Sequence, residues 1–144
     1  MKYPNLIENS LPASGKIRTS SITLNKARTV SVTLQCTYNA SASREAQINA
    51  YYSPDGTNWD TEPFSSQLLL LSAGNEVQET LKIDPPEHGY MVFEVENIDS
   101  SQTLTAIKLW YSVERWRDKA VVILKHGSEH LNKKKDMELE NAGE

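Results

Sequence analysis

Two histidines and a glutamate near the C-terminal end form the most explicit catalytic pattern in the chain. His126, Glu129 and His130 match the H-x-x-E-H pattern of inverted zinc peptidases, in which two imidazoles bind zinc and the glutamate acts as the base. The chemistry needs both histidines on one helix face and a third metal ligand. Gly127 and Ser128 are poor helix formers, and only a short polar tail follows. The sequence therefore argues against a zinc peptidase.

One thiol and one imidazole could in principle act as a nucleophile and its base. These groups belong to Cys36 and His88. Cys36 follows the same alternation as Val30, Val32 and Leu34, so its side chain is predicted to point into the core. A free cysteine in a core packs as a small hydrophobic residue. We therefore expect no cysteine catalysis.

Three oxygen-bearing side chains lie close together in the sequence and suggest a calcium loop. They belong to Asp55, Asn58 and Asp60, but the segment lacks the ligand number and the distal bidentate glutamate of an EF-hand. Pro54 and Gly56 beside Asp55 favour a tight turn, because proline presets one backbone angle and glycine accepts a positive φ. Turn formation is the simpler interpretation, and we expect no metal and no cofactor.

Aromatic side chains could instead form a platform for sugar rings. Tyr51 and Tyr52 are adjacent in a predicted strand, as are Trp110 and Tyr111, so one member of each pair is expected on an outer face or at an interface. Trp59 follows the predicted turn. A carbohydrate-binding or surface-adhesion module that uses Tyr51 and Trp59 is therefore an alternative function.

The elements that position these residues are predicted to be β-strands. Residues 30–38 alternate between apolar and polar types and are rich in β-branched residues, which is typical of a half-buried strand. In the last predicted strand, Leu104 and Ile107 are expected on opposite faces. Short predicted strands are separated by turn signals at regular intervals. This pattern indicates an all-β fold, an antiparallel β-sandwich or jelly roll of about seven strands. The other predicted strands are 22–24, 48–52, 68–71, 77–83, 90–97 and 104–113.

The composition divides the chain into three parts. Residues 1–16 contain two prolines and are predicted to be an extended N-terminal arm, and residues 17–113 form the sandwich. Residues 114–144 carry seven basic and seven acidic side chains and form a C-terminal charged helix or tail. Apolar residues at three- and four-residue steps favour a helix over about 114–135, whereas residues 121–124 could instead form one more strand.

Charge and length exclude several classes of protein. The chain has 144 residues and a formal net charge of −4, so we expect no direct nucleic-acid binding by phosphate contacts. No apolar stretch is long enough for a membrane helix. The N-terminus lacks the apolar region of a secretion signal, so synthesis in a cytoplasm without secretion is expected.

The segment Ser53-Pro-Asp55-Gly-Thr-Asn-Trp59 carries a resemblance. It resembles the Ser-x-Asp-Gly-x-x-Trp hairpin of β-sandwich domains in phage virion accessory proteins and in microbial surface or carbohydrate-associated proteins. The phage members of this group are capsid decoration, neck or tail proteins. The resemblance therefore implies a folding device, and a non-enzymatic structural protein located in the virion.

That resemblance implies binding to other virion proteins rather than to a small substrate. The arm and the C-terminal segment are the predicted contact regions, and several copies or a homo-oligomer would strengthen weak contacts by avidity. The predicted partner contacts are Tyr3, Leu6, Ile7, Trp116, Ile123 and Leu131.

Overall fold

The protein is described here by a computed structural model over residues 3–116, which contain nine β-strands and no helix. The predicted all-β class is therefore confirmed for this part of the chain. The strands are β1 (Leu6–Leu11), β2 (Lys16–Arg18), β3 (Ile22–Thr23), β4 (Ala27–Thr37), β5 (Ala46–Ser53), β6 (Ser65–Leu68), β7 (Glu76–Ile83), β8 (Tyr90–Asn97) and β9 (Leu104–Arg115).

The strands form two antiparallel sheets that pack into a sandwich. The first sheet has the order β1-β9-β4-β7 and is called sheet A. The second has the order β2-β8-β5-β6, with β3 also pairing with β8, and is called sheet B. Every strand pairing is antiparallel. The predicted antiparallel β-sandwich is thus confirmed.

Alternation of side chains along the strands creates the core between the sheets. In β4 every second residue from Val30 to Cys36 is fully buried, whereas the odd-numbered residues between them point to the outer face. Sheet B contributes Phe93, whose ring lies 5.1 Å from that of Tyr111 in sheet A. These contacts join the two sheets through one continuous apolar layer.

A β-bulge in β9 corrects the predicted alternation of that strand. Leu104 and Ile107 were expected on opposite faces, yet both are buried in the core. The extra residue is Ala106, whose φ is 53°, and the pairing with β4 shifts register at this point. A bulge places two residues opposite one and thereby changes the face of every residue beyond it.

Three predicted boundaries differ from the structure. The segment 1–16 was predicted to be an arm, but its residues Leu6–Leu11 form β1 and pair with β9 inside sheet A. The boundary predicted at residue 114 lies within β9, which continues to Arg115. The predicted strand 68–71 is instead β6 at Ser65–Leu68. β1 and β2, neither of which was among the predicted strands, raise the number from seven to nine.

The two ends of the sandwich carry different parts of the chain. We call one end the terminal end, because residues 3–5 enter and Trp116 leaves there, beside the turns at 24–26, 54–64 and 84–89. The other end carries the loops 12–15, 38–45, 69–75 and 98–103, and we call it the fastened end.

Buried polar side chains join the loops at the fastened end. The side-chain amide of Asn97 donates to the carbonyl oxygens of Leu11, Pro12 and Gln102 at 2.8–3.3 Å. The carboxylate of Asp99 accepts hydrogen bonds from N–H and hydroxyl groups of two loops, 38–45 and 98–103. These bonds strongly lower the pKa of Asp99, and the bond from the Ser43 N–H has the largest effect. The remaining donors to Asp99 are the N–H groups of Arg44, Ser101 and Gln102 and the hydroxyls of Ser43 and Ser101.

Candidate functional site

Both ends of the described chain emerge at the terminal end of sheet A. This follows from the pairing of β1 with β9, in which Leu11 lies opposite Leu104 and Leu6 lies opposite Leu109. Because the pair is antiparallel, the start of β1 and the end of β9 lie at the same end of the sheet. The sequence alone gave no sign of this convergence, since it depends on which strands become neighbours.

A groove opens at the terminal end between sheet A and sheet B. Its volume is about 610 Å³. One wall is the last part of β9 and the other is β3, so the groove separates the edges of the two sheets. The lining residues are Asn5, Ser21, Ile22, Thr23, Tyr111, Ser112, Val113 and Arg115.

The groove exists because β1 is shorter than its neighbour. The N–H of Asn5 donates to the Leu109 carbonyl at 2.7 Å, and its side-chain oxygen accepts from the N–H of Tyr111 at 2.8 Å. Pro4 precedes it and has no N–H to continue the ladder. Since residues two apart in a strand direct their backbone groups to the same side, those of Val113 face the groove as those of Tyr111 do.

One arginine ties the two sheets together beside this groove. The guanidinium of Arg115 donates to the carbonyl of Asn25 at 2.5 Å and to that of Thr23 at 3.2 Å. The next residue, Trp116, donates its N–H to the carbonyl of Lys26 at 2.8 Å. The final residues of β9 are therefore held to the β3–β4 turn.

The predicted partner contacts fall into three groups. Tyr3 is 85% exposed, Ile7 is 61% exposed and Trp116 is 45% exposed, so each leaves apolar surface in solvent. The guanidinium of Arg28 lies 4.9 Å from the centre of the Trp116 ring. Leu6 instead packs against the core. The other two predicted contacts, Ile123 and Leu131, lie outside the described residues, as do the alternative strand 121–124 and residues 117–135 of the predicted helix. Residues 114 and 115, where that helix was predicted to begin, belong instead to β9.

The outer face of sheet B holds a polar network that the sequence analysis missed. The carboxylate of Glu94 is almost fully buried and accepts hydrogen bonds from Arg18 and from Asn49, both at 2.9 Å. The amide of Asn49 also donates to Glu96 at 3.0 Å and accepts from Gln47 at 2.6 Å. The signal in the sequence was the alternation of these polar residues with core residues in β5 and β8.

The two predicted glycan contacts lie in different settings. Tyr51 is on the outer face of sheet B and is only 8% exposed, because the Arg18 guanidinium lies 4.2 Å from the centre of its ring. Its hydroxyl lies 3.5 Å from the Glu94 carboxylate. Trp59 is half-buried in the β5–β6 connection at the terminal end. The Tyr51 ring face that Arg18 covers is closed to a stacked sugar.

The segment proposed as a calcium loop satisfies its own carboxylate. Asp55 accepts hydrogen bonds from the N–H groups of Asn58 and Thr57 and from the Asn58 side chain at 2.7–2.9 Å. These bonds, led by the Asn58 N–H, hold the pKa of Asp55 well below its usual range. Gly56 has φ of 80°, as the turn requires. The N–H of Asp60 donates to the carbonyl of Tyr52, which closes the hairpin.

The proposed thiol and imidazole lie in different environments. Cys36 is fully buried, as predicted, and burial raises the pKa of its thiol to about 12. His88 is exposed, and its carbonyl accepts a hydrogen bond from the Tyr52 hydroxyl at 3.0 Å. The buried thiol therefore lacks the thiolate character that a nucleophile needs. The proposed zinc pair, His126 and His130, lies outside the described residues.

Residues 3–116 contain neither a candidate metal cluster nor a candidate membrane-spanning helix. Within them, no group of three or more histidine, cysteine, aspartate or glutamate side chains is arranged to hold a metal ion. The same part of the chain has no helix that is long and apolar enough to cross a membrane.

Comparisons with known proteins give a distant structural likeness. No protein family matches the sequence, and no curated protein matches it. Among solved structures, the chain is similar to a family GH115 4-O-methyl-α-glucuronidase, BtGH115A, with specificity for decorated arabinogalactans, at 9% sequence identity and a TM-score of 0.43. The alignment covers 70% of this chain and 14% of that chain, so this chain spans a small part of that enzyme's length. A likeness at this level carries no argument about function.

Proposed function

We propose that the protein is a non-enzymatic structural protein of a virion, which binds neighbouring capsid, neck or tail subunits through its terminal end. The observation that supports this proposal best is that both ends of the described segment, an open strand edge and exposed apolar side chains lie at one end of the sandwich. A protein that works by surface contact needs such a patch, whereas it needs no pocket with converging ionisable groups.

The groove suggests how a neighbouring subunit would be held. An extended segment that enters the groove would lie beside β9, before the first residue of β1, and would pair with the backbone groups of Val113. Trp116 and Tyr3 would add apolar contacts around this strand. Because each contact is small, many copies on one particle would be needed for stable attachment.

The test is incorporation into particles. Cells that produce the particles would carry the wild-type gene or a variant gene, and the protein content of purified particles would be measured by quantitative mass spectrometry. We expect the wild-type protein in a fixed number of copies per particle. Trp116→Ala and Ile7→Asp should reduce incorporation at least about tenfold, since both remove exposed contacts at the terminal end.

Arg44→Ala is the matched control, because Arg44 is exposed at the fastened end. It should be incorporated like the wild type. All variants should have unchanged thermal unfolding midpoints in isolation, which separates lost contact from lost fold. Absence of the wild-type protein from particles, or equal incorporation of every variant, contradicts the proposal.

A second candidate is a carbohydrate-binding or surface-adhesion module. One observation favours it: the outer face of sheet B groups side-chain amides and carboxylates beside Tyr51, and such groups hydrogen-bond sugar hydroxyls. A glycan array would test it. Binding that Gln47→Ala and Trp59→Ala abolish without loss of stability would support this function, and no binding above background would reject it.

A further inference from the structure

The strand at the free edge of sheet A has an open side. β7 pairs with β4 alone among the described strands. The N–H of Tyr38 donates to the carbonyl of Asn75, just before β7, at 3.0 Å. This bond shows that the odd-numbered residues of β7 direct their backbone groups to β4. Even-numbered residues therefore direct theirs away from the sheet. These outward residues are Glu76, Gln78, Thr80 and Lys82, and all four are exposed.

We propose that β7 pairs with β7 of a second copy of this chain, antiparallel and across a two-fold axis at Glu79. In this register Glu76 of each copy lies opposite Lys82 of the other, and Gln78 lies opposite Thr80. Each such pair can exchange both backbone hydrogen bonds, because both members direct their N–H and C=O outward. The result is one continuous eight-stranded sheet with two cross-strand ion pairs.

The charge pattern selects this register over its neighbours. A shift by two residues in one direction would place Glu76 opposite Asp84, which is a like-charge pair. A shift in the other direction would place Glu76 opposite Thr80 and would leave Lys82 beyond the paired segment. Opposite charges directly across an antiparallel pair are stabilising and like charges are destabilising. The strand is thus complementary to itself in one alignment.

Exposed leucines lie beside the same edge and give the second copy apolar surface to cover. Leu70 is 71% exposed and Leu68 is 50% exposed. Leu70 is fixed next to β7, because its N–H donates to the Glu79 carboxylate at 2.6 Å. Gln67 donates to the same carboxylate at 2.9 Å. This apolar surface distinguishes the edge from one protected by charges alone.

Glu79 also limits the strength of the pairing. Two copies of its carboxylate would face each other near the axis, and like charges at directly opposed positions repel. Each carboxylate is drawn towards β6 by Gln67 and Leu70. An interface built on one strand pair is small, so we expect an equilibrium between monomer and dimer rather than a permanent dimer.

A charge exchange tests the proposal on the full chain. Sedimentation velocity would be measured at low salt from about 10 μM to about 1 mM protein. The wild type should associate, and the single variants Lys82→Glu and Glu76→Lys should each weaken association about tenfold, because each replaces two attractive pairs with two repulsive pairs. The double variant, Glu76→Lys with Lys82→Glu, should restore it.

Two further variants control the interpretation. Lys108→Glu makes the same change of charge on the exposed outer face of β9 and should leave association unchanged. Glu79→Gln keeps an acceptor for the Leu70 N–H but removes the opposed charges, so it should tighten association. Hydrogen exchange should show concentration-dependent protection of the Gln78 and Thr80 amides.

A chain that stays monomeric at about 1 mM overturns the proposal. So does a dimer that persists in Lys82→Glu, or a double variant as weak as the singles, since association would then use another surface. The measurement is made on isolated protein, and β7 is separate from the terminal end. Its result is therefore independent of whether the protein is incorporated into particles.

Discussion

The two ends of the sandwich differ in how polar groups of their loops are hydrogen-bonded. At the fastened end, polar side chains from one strand end reach the backbone of several loops, so Asn97 and Asp99 are buried although both are polar. At the terminal end, the carboxylate of Asp55 is instead satisfied within its own turn by residues 57 and 58. The first arrangement couples distant segments, whereas the second is confined to the 54–64 turn.

This difference separates residues that stabilise the fold from residues that can change without destabilising it. Buried polar groups that bridge segments are costly to lose, because their partners remain buried without hydrogen bonds. A self-contained turn with exposed neighbours can change without affecting the body. The terminal end leaves Tyr3 and Trp116 exposed, while the fastened end joins the two sheets through the bond from Asn97 to the Leu11 carbonyl.

The largest contrast between the ends should come from one asparagine at each. Asn97→Ala removes three hydrogen bonds to backbone carbonyls in buried surroundings, and it should lower the free energy of unfolding by about 3 kcal/mol. Asn58→Ala removes an exposed bond to Asp55 and should cost about 0.5 kcal/mol. Urea unfolding at neutral pH measures both. Equal losses would show that the two ends are built alike.

Acid should affect the two ends differently. The pKa of Asp99 and that of Asp55 both lie below the unfolded value of about 3.9, so each carboxylate stabilises the fold above that pH and loses this contribution as pH falls towards its folded pKa. Asp99 joins loops, so the loss should lower global stability, whereas protonated Asp55 should only open its own hairpin. Urea unfolding from pH 7 to about 2 should show a weaker acid dependence in Asp99→Asn than in the wild type. An unchanged acid dependence in this variant contradicts the prediction.

A smaller effect is expected where the terminal end does join the sheets. Arg115→Met removes the donors to the Thr23 and Asn25 carbonyls but keeps an apolar stem, so the free energy of unfolding should fall by about 1 kcal/mol. Hydrogen exchange should become faster in β3 and in the β3–β4 turn. Lys108→Met serves as the control, since Lys108 is exposed on β9. A loss as large as that in Asn97→Ala would mean that side-chain bonds between segments stabilise the fold equally at both ends.

The sequence predicted well those features that depend on local alternation. β4, β5, β7 and β8 were found near their observed positions, because each alternates buried and exposed residues or ends at a strong turn signal. β1 was missed because Leu6 and Ile7 are adjacent apolar residues, and only pairing with β9 assigns one to the core and one to solvent. The bulge at Ala106 likewise has no local sequence signal.

The candidate site was less accessible to sequence reasoning than the fold. Tyr3, Ile7 and Trp116 were predicted to be partner contacts, and the structure leaves all three with exposed surface. Their arrangement around a groove was not, because it requires β1, β3 and β9 to meet, and these strands are far apart in the chain. Burial of Glu94 was missed for a similar reason, since Arg18 reaches it from a separate strand.

The smallest effect on stability should occur at the start of the chain. Tyr3 is 85% exposed and precedes β1, so Tyr3→Ala should change the free energy of unfolding by less than about 0.5 kcal/mol. Leu6→Ala, three residues later, should cost about 1 kcal/mol because its side chain packs against the core. Urea unfolding of both variants locates the point at which the chain changes from contact surface to folded body. A loss in Tyr3→Ala equal to that in Leu6→Ala would mean that the tyrosine stabilises this chain itself, and the terminal end would then have less apolar surface to offer a partner.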